Sequence, residues 1–233
     1  MKIQIHKSEE RGRSDLEWLH SRFSFSFANY RNSRRMGFGA LRVLNDDIVE
    51  PGLGFGAHEH DNMEIISIPL EGELAHKDST GDEDVIGVGD ISVMSAGSGV
   101  IHSEFNPSET NQAKFFQIWI QTKERDIEPR HDKKNFELRE NELEMVVSGN
   151  KTDEALLIYQ DAKIYLGKFA KGKNIRHEIG AGKGVFLMSI EGKIKVEGNK
   201  MEKRDSIEIS EAKEVEIEAL DESYVILIEV PMA

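Results

Sequence analysis

Alternation of apolar and polar residues with a period of two runs through almost the whole of this 233-residue chain, and no other feature restricts the fold as strongly. Phe23, Phe25 and Phe27 of RFSFSF share one face of an extended strand, as do Phe115, Gln117 and Trp119 of FFQIWI, because successive side chains of a strand point to opposite sides. Turn residues punctuate these runs at Asn45-Asp46-Asp47, Pro51-Gly52, Glu71-Gly72, Gly81-Asp82 and Gly89-Asp90. Short strands at this spacing predict an all-β barrel or sandwich. The first half offers no amphipathic helix.

The segment KERDIEPRHDKKNFELRENELE, residues 123 to 144, is the least hydrophobic of the chain and reads as a connection with at most a helical turn. Strands are expected to resume with MVVSG at 145 and to continue to YVILIEV at 224 to 230. Two segments on either side of the connection resemble each other: IISIPLEGELAHKD (65 to 78) and VFLMSIEGKIKVEG (185 to 198) both pass from an apolar strand through Glu-Gly into an alternating strand. Asp90 with ISVMS is then matched by Asp205 with SIEIS. The expected organisation is two β-domains in tandem, residues 1–135 and 136–233.

Within the first of them, GLGFGAHEHDNME places His58 and His60 two residues apart, and SGVIHSEFN places His102 and Glu104 at the same spacing. In a strand such pairs share a face with Cα atoms about 6.5 to 7 Å apart, so two facing strands can bring three imidazoles and a carboxylate to one ion. The chain contains no cysteine, so any metal must be held by nitrogen and oxygen. That donor set suits Fe(II), Mn, Ni, Cu, Co or Zn, and an octahedral ion would keep two positions for water, O2 or substrate.

Other function classes are disfavoured. A formal charge of -13 repels polyanions, so direct nucleic-acid binding would need a local basic patch. The best one, Arg31, Arg34 and Arg35, reads as a solvated loop. The charged start lacks a secretory apolar core, and no run approaches the roughly 18 to 20 apolar residues of a membrane span. A cytoplasmic location is the expectation. Gly52, Gly54 and Gly56 precede a strand and not a helix, which argues against a nucleotide fingerprint. Asp78, Asp82 and Asp84 lack the closing glutamate of a calcium loop and read as a solvated hairpin tip.

The histidine pairs also resemble the two cupin motifs. Gly52, His58, His60, Glu64 and Gly72 follow the first with one extra residue before the last glycine. Gly89, the turn at Ser95 to Gly97, His102 and Asn106 follow the second, with Ser95 at a usual proline position. FSFANY (25 to 30), MGFGALRVLNDD (36 to 47), GFGAHEHDNMEI (54 to 65), MSAGSGVIHSE (94 to 104) and QIWI (117 to 120) together resemble the pirin family, especially its bacterial bicupin members.

That resemblance implies two tandem cupin barrels of the double-stranded β-helix or jelly-roll kind. It implies one divalent metal, Fe(II) first, held by His58, His60, His102 and Glu104, with Glu64 outside the metal's immediate ligands. The implied activity is quercetin 2,3-dioxygenation, the O2-dependent opening of a flavonol ring with loss of carbon monoxide. Glu104 would be the base that takes the substrate's 3-hydroxyl proton. The alternative is a non-enzymatic, redox-sensing pirin-like protein that binds a protein partner. Phe23, Phe25, Met36 and Phe38 are candidates for an apolar pocket, but plain barrel core is the favoured reading for each. The second half has only His177, a single strand histidine, and is expected to be metal-free.

Overall fold

The structure, a computed structural model, describes residues 1–232, which form 22 strands, one 3-10 turn at Ser8–Glu10 and no α-helix. No helix among these residues is long and apolar enough to cross a membrane. The first half forms a seven-stranded sheet ordered Arg130–Asn135, Asp90–Ser95, Met63–Glu71, Ala113–Gln121, Leu41–Val49, Leu19–Phe23 and Gly12–Asp15. Facing it is a four-stranded sheet of Gly54–His60, Val100–Phe105, Glu73–Asp78 and Glu83–Gly87. Together they make a double-stranded β-helix barrel.

The second half repeats this plan. Its larger sheet runs Lys2–His6, Ser206–Ser210, Lys183–Glu191, Ser223–Pro231, Lys163–Phe169, Leu143–Ser148 and Leu156–Leu157, and its smaller one Asn174–Glu178, Glu214–Ala219, Ile194–Val196 and Asn199–Met201. The equivalence extends to single residues. Lys114 pairs with Glu71 and Phe115 with Pro69, so Leu70 is skipped; Tyr224 pairs with Glu191 and Val225 with Ser189, so Ile190 is skipped. Each bulge leads into a left-handed glycine, Gly72 at φ +72° and Gly192 at φ +76°, where a Cβ would run into the carbonyl of Gln112 or Glu222. Only glycine fits both demands.

The central strands of the two large sheets are buried on both faces, which explains their continuous apolar runs. One face of each large sheet packs against the other barrel. Leu44, Ile66, Phe116 and Ile118 of the first barrel join Ile164, Phe186, Ile226 and Ile228 of the second in a single hydrophobic core. The remaining faces point into their own barrels. There the two differ, as described below.

Several expectations are corrected by this register. Asn45, Asp46 and Asp47 are not a turn but the middle of Leu41–Val49. Asn45 and Asp47 are buried, and Asp46 binds Arg11 at 3.1 Å and Arg204 at 3.0 Å across the barrel junction. Arg35 is buried rather than solvated: its Nε and Nη2 donate to Ser24 O and its Nη1 lies 3.3 Å from Glu208 of the second barrel. The charged connection contributes an edge strand, Arg130–Asn135, to the first barrel. The corresponding edge of the second barrel is closed by Lys2–His6, which comes from the expected first domain. Ile3 and Ile5 pair there with Ile209 and Ile207, and Ile5 packs on the second barrel's core.

Candidate metal centre

Gly54–His60 and Val100–Phe105 are antiparallel neighbours, and His102 lies directly opposite His58. Beyond that pair the register shifts, because Phe55 and not Gly56 faces Glu104. The extra residue, at Gly56-Ala57, lets His58 and His60 point inward at one end of the strand while Phe55 packs inside at the other, against Trp18. Gly56 also orients the His58 ring. Its carbonyl can only accept, so His58 Nδ1, 2.8 Å away, carries the proton. The lone pair of His58 is therefore on Nε2, which faces His102 Nε2 at 3.0 Å.

The three imidazoles converge. One ring nitrogen from each of His58, His60 and His102 lies within 4.8 Å of the others, and their centroids are 4.4 to 4.9 Å apart. Burial, reinforced by neighbouring imidazoles, pushes His60 down to about 4 and His102 to about 2. Both rings are thus neutral near pH 7, the form that ligates metal. His102 Nδ1 is buried without a hydrogen-bond partner.

Glu104 stands two residues beyond His102 on the same face and is 3% exposed. Ser67 Oγ donates to its Oε1 at 3.1 Å and Gln117 Nε2 to its Oε2 at 2.7 Å. Burial pushes this carboxyl above the ordinary range, against the opposing pull of His76, Ser67, His58 and Gln117. Its close ligand-type neighbours are His102 and His76, all within 4.8 Å of one another. The four expected residues therefore form two overlapping groups that share His102. A divalent cation suits this set: it would meet neutral nitrogens and relieve the burial of an anionic carboxylate.

Glu64 is on the other face of its strand, in phase with Ile66 and Ile68, and points toward the junction between barrels. Ser95 Oγ donates to it at 2.7 Å, and burial raises its carboxyl. Three residues escaped the sequence reading. His76 and Asp78 lie inside the barrel at 3% and 9% exposure, where a solvated hairpin tip was expected for Asp78. Their His-x-Asp spacing on a strand is the signal that was there to be used. His131, on the edge strand Arg130–Asn135, stacks on His76 at 4.1 Å and 8°. No local pattern announces that contact.

Of the pocket candidates, three are buried as the core reading expected and Met36 is not. Phe25 and Phe38 belong to the core between barrels and Met36 is 50% exposed, while Phe23 is buried against Phe27. The aromatic beside the imidazoles is Trp119, edge-on to His60 at 4.9 Å and to Phe27 at 5.3 Å. A cleft of about 420 Å³ opens next to His60, bordered by Glu59, Asp61, Ser79, Ser98 and Ile101.

The second barrel holds apolar residues at almost every equivalent position. Ile217 faces Val196 as Glu104 faces His76, and Val215 faces His177 as His102 faces His58. Leu187 opposite Leu227 replaces Ser67 opposite Gln117. Ile179, Leu187, Val196, Val215, Ile217 and Leu227 are joined in that barrel's core. Of the four expected metal positions only that of His58 keeps a histidine, and His177 is bound to Glu229 at 3.2 Å.

Comparison with known proteins finds a family model in each half of the chain. Residues 4–120 match the family described as Pirin, and residues 145–230 the one described as Quercetinase C-terminal cupin domain. The chain is 38% identical over 229 residues to quercetin 2,3-dioxygenase of Escherichia coli strain K12, covering 98% of this chain and 99% of the relative. A pirin-like protein of Caulobacter vibrioides is 34% identical over 221 residues, 94% of this chain and 95% of its own. Among solved structures, the bacterial pirin YhhW of Escherichia coli in complex with nickel(II) superposes with a TM-score of 0.95 at 37% identity, covering both chains fully at 100%.

Proposed function

The chain belongs to the pirin family, and on that premise we propose that it is a metal-dependent dioxygenase that opens flavonol-type aromatic substrates with O2. The observation that carries the reading is the convergence of three imidazoles, those of His58, His60 and His102, beside a buried carboxylate inside one barrel. His58, His60, His102 and Glu104 hold one divalent transition metal in this reading. Fe(II) is the expected ion, and the nickel(II) complex of the related bacterial pirin supports a divalent metal of this class. In this reading the metal belongs to the first unit, residues 1–135, and the second, residues 136–233, is structural.

When bound, the ion supplies Lewis acidity toward the substrate's hydroxyl oxygen and an electron-transfer partner for O2. The remaining work belongs to side chains. Glu104 accepts the proton of the flavonol 3-hydroxyl; Ser67 and Gln117 hold its carboxylate in place through both oxygens. Trp119 and Phe27 give the aromatic substrate an apolar wall beside His60 and keep bulk water from the reacting carbons.

Oxygen consumption with quercetin is the direct test, run on protein stripped of metal and reloaded in turn with Fe(II), Mn(II), Co(II), Ni(II) and Cu(II). At least one form should consume O2 stoichiometrically with quercetin and release carbon monoxide. Absence of uptake in every form would overturn the proposal.

A further inference from the structure

Glu104 and His102 are not alone on the floor of the first barrel. Their neighbouring strand places His76 directly opposite Glu104 and Asp78 directly opposite His102. Cross-strand partners of this kind have Cβ atoms about 4.5 to 5.5 Å apart, so the four side chains form a square facing the barrel interior. We infer that His76, braced by Asp78, is a positioning residue of the metal centre: its fixed ring, with an acceptor nitrogen, excludes the Glu104 carboxylate from that side and so confines it to the place where Ser67 and Gln117 hold it. The inference rests on the metal reading above and extends it to residues outside the ligand set.

His76 is held on two sides. Its Nε2 donates to Asp78 Oδ2 at 3.0 Å, which fixes the tautomer and leaves Nδ1 with the lone pair. Asp78 cannot swing away, since its Oδ1 accepts from Thr80 N at 2.8 Å, Thr80 Oγ1 at 2.6 Å and Asp82 N at 3.3 Å. The flat of the His76 ring rests on His131. His131 is itself fixed by a 2.8 Å contact between its Nε2 and Ser92 Oγ. A rigid imidazole is thus delivered within 4.8 Å of the Glu104 and His102 ligand atoms.

The internal repeat supplies an independent argument. If His76 and Asp78 served the barrel's folding, the second barrel should need something like them. It has Val196 where the first has His76, and two residues further on Gly198 where the first has Asp78. His131, opposite Met94, gives way to Ile3 opposite Ile209. The brace disappears together with Glu104, His102 and His60 while the strands and bulges stay. It follows the chemistry and not the fold.

The test uses Co(II) on the purified, metal-stripped full chain, reading its visible spectrum and its affinity by competition with a chelating dye. Wild type should bind one Co(II), and His58→Ala should lose it. His76→Ala should weaken binding by about 10- to 100-fold and alter the spectrum, in the range typical of groups that orient metal ligands. Asp78→Asn, nearly isosteric, should weaken it in the same direction by several-fold, and it serves if His76→Ala does not fold. Because His76 acts through Glu104, the double variant His76→Ala/Glu104→Ala should bind as Glu104→Ala alone does, within about 2-fold. A full His76 effect in the Glu104→Ala background would overturn the inference. So would wild-type spectra and affinity in Asp78→Asn and in a folded His76→Ala. If wild type takes up no Co(II), or His58→Ala binds as well as wild type, the metal reading itself fails and this inference with it.

Discussion

The two barrels share strand order, a bulge and a glycine turn, yet one is filled with hydrogen-bonding groups and the other with hydrocarbon. Inside the first, Ser67, His76, Gln117, His102 and Glu104 occupy the centre, and the apolar residues are split into two small clusters around Phe115 and around Met94. Inside the second, the equivalent strands contribute Leu187, Val196, Leu227, Val215 and Ile217 to one continuous core. The backbone plan tolerates both fillings because the large sheets also bury their other faces against each other. That shared core holds the first barrel in shape while its own interior is given over to polar side chains.

If the second barrel is the chain's reservoir of stability, core truncation there should have the largest effect. Leu227→Ala should lose about 2 to 5 kcal/mol in urea unfolding, whereas Gln117→Ala at the equivalent site should lose about 1 kcal/mol in metal-free protein. Equal losses would break the contrast. Next in size is metal retention: Glu104→Ala should weaken it by about 100-fold, and Glu64→Ala, on the opposite face, should leave it within a few-fold. Elemental analysis after dialysis distinguishes them, and equal retention would remove Glu104 from the ligand set.

Asp47 gives a smaller, pH-dependent contrast. Its equivalent in the second barrel is Gly167, opposite Val225 as Asp47 is opposite Phe115. Burial raises the Asp47 carboxyl to about 7, against a hydrogen bond from Ser21. The folded state therefore keeps a proton that the unfolded chain releases near pH 3.8, and stability falls as pH rises from there through 7. Asp47→Asn should stabilise the metal-free protein by about 1 to 3 kcal/mol at pH 8 and by much less at pH 5. A gap that is constant between the two pH values would contradict this.

Glu229, which stands where the first barrel has Trp119, should show the opposite sign and the smallest size. Burial pushes its carboxyl up, but hydrogen bonds from His177 and Gly180 and the charge of Lys183 carry it below the ordinary value. Its contribution is present above the unfolded pKa and is lost as pH falls through the folded one. Glu229→Gln should thus be less stable than wild type by about 1 kcal/mol at neutral pH, with the difference closing in acid denaturation.

Much of this was legible in the sequence because a strand's period of two turns spacing into geometry. His58 with His60, and His102 with Glu104, were paired by that rule, while the two repeats showed as matching strand, Glu-Gly, strand segments. The same rule applied to His76 and Asp78 would have found the brace, but the run of aspartates and glycine that follows looked like an exposed tip. Other features depend on pairing across long distances. Nothing local tells that Asn45 to Asp47 continue a strand, since their polar side chains are accommodated only by the barrel's polar interior and by Arg11 and Arg204. His131 reaches His76 only because the charged connection returns to pair with Asp90–Ser95. Arg35 is buried because Glu208 arrives from the other barrel.

The exchange of edge strands also bears on the order in which the molecule is made. Lys7 meets Asp205, 198 positions later, and the strand just before it is sealed against Ser206–Ser210. During synthesis that strand leaves the ribosome ahead of both barrels and waits for a partner that emerges near the end. Contacts of such separation are the slow ones in folding. The first barrel has its own edge, Arg130–Asn135, in hand much earlier. All the strands that carry the histidine pairs and their edge thus precede the second barrel in the chain, whereas the core they share with it can close only after Ile226 and Ile228 have been made.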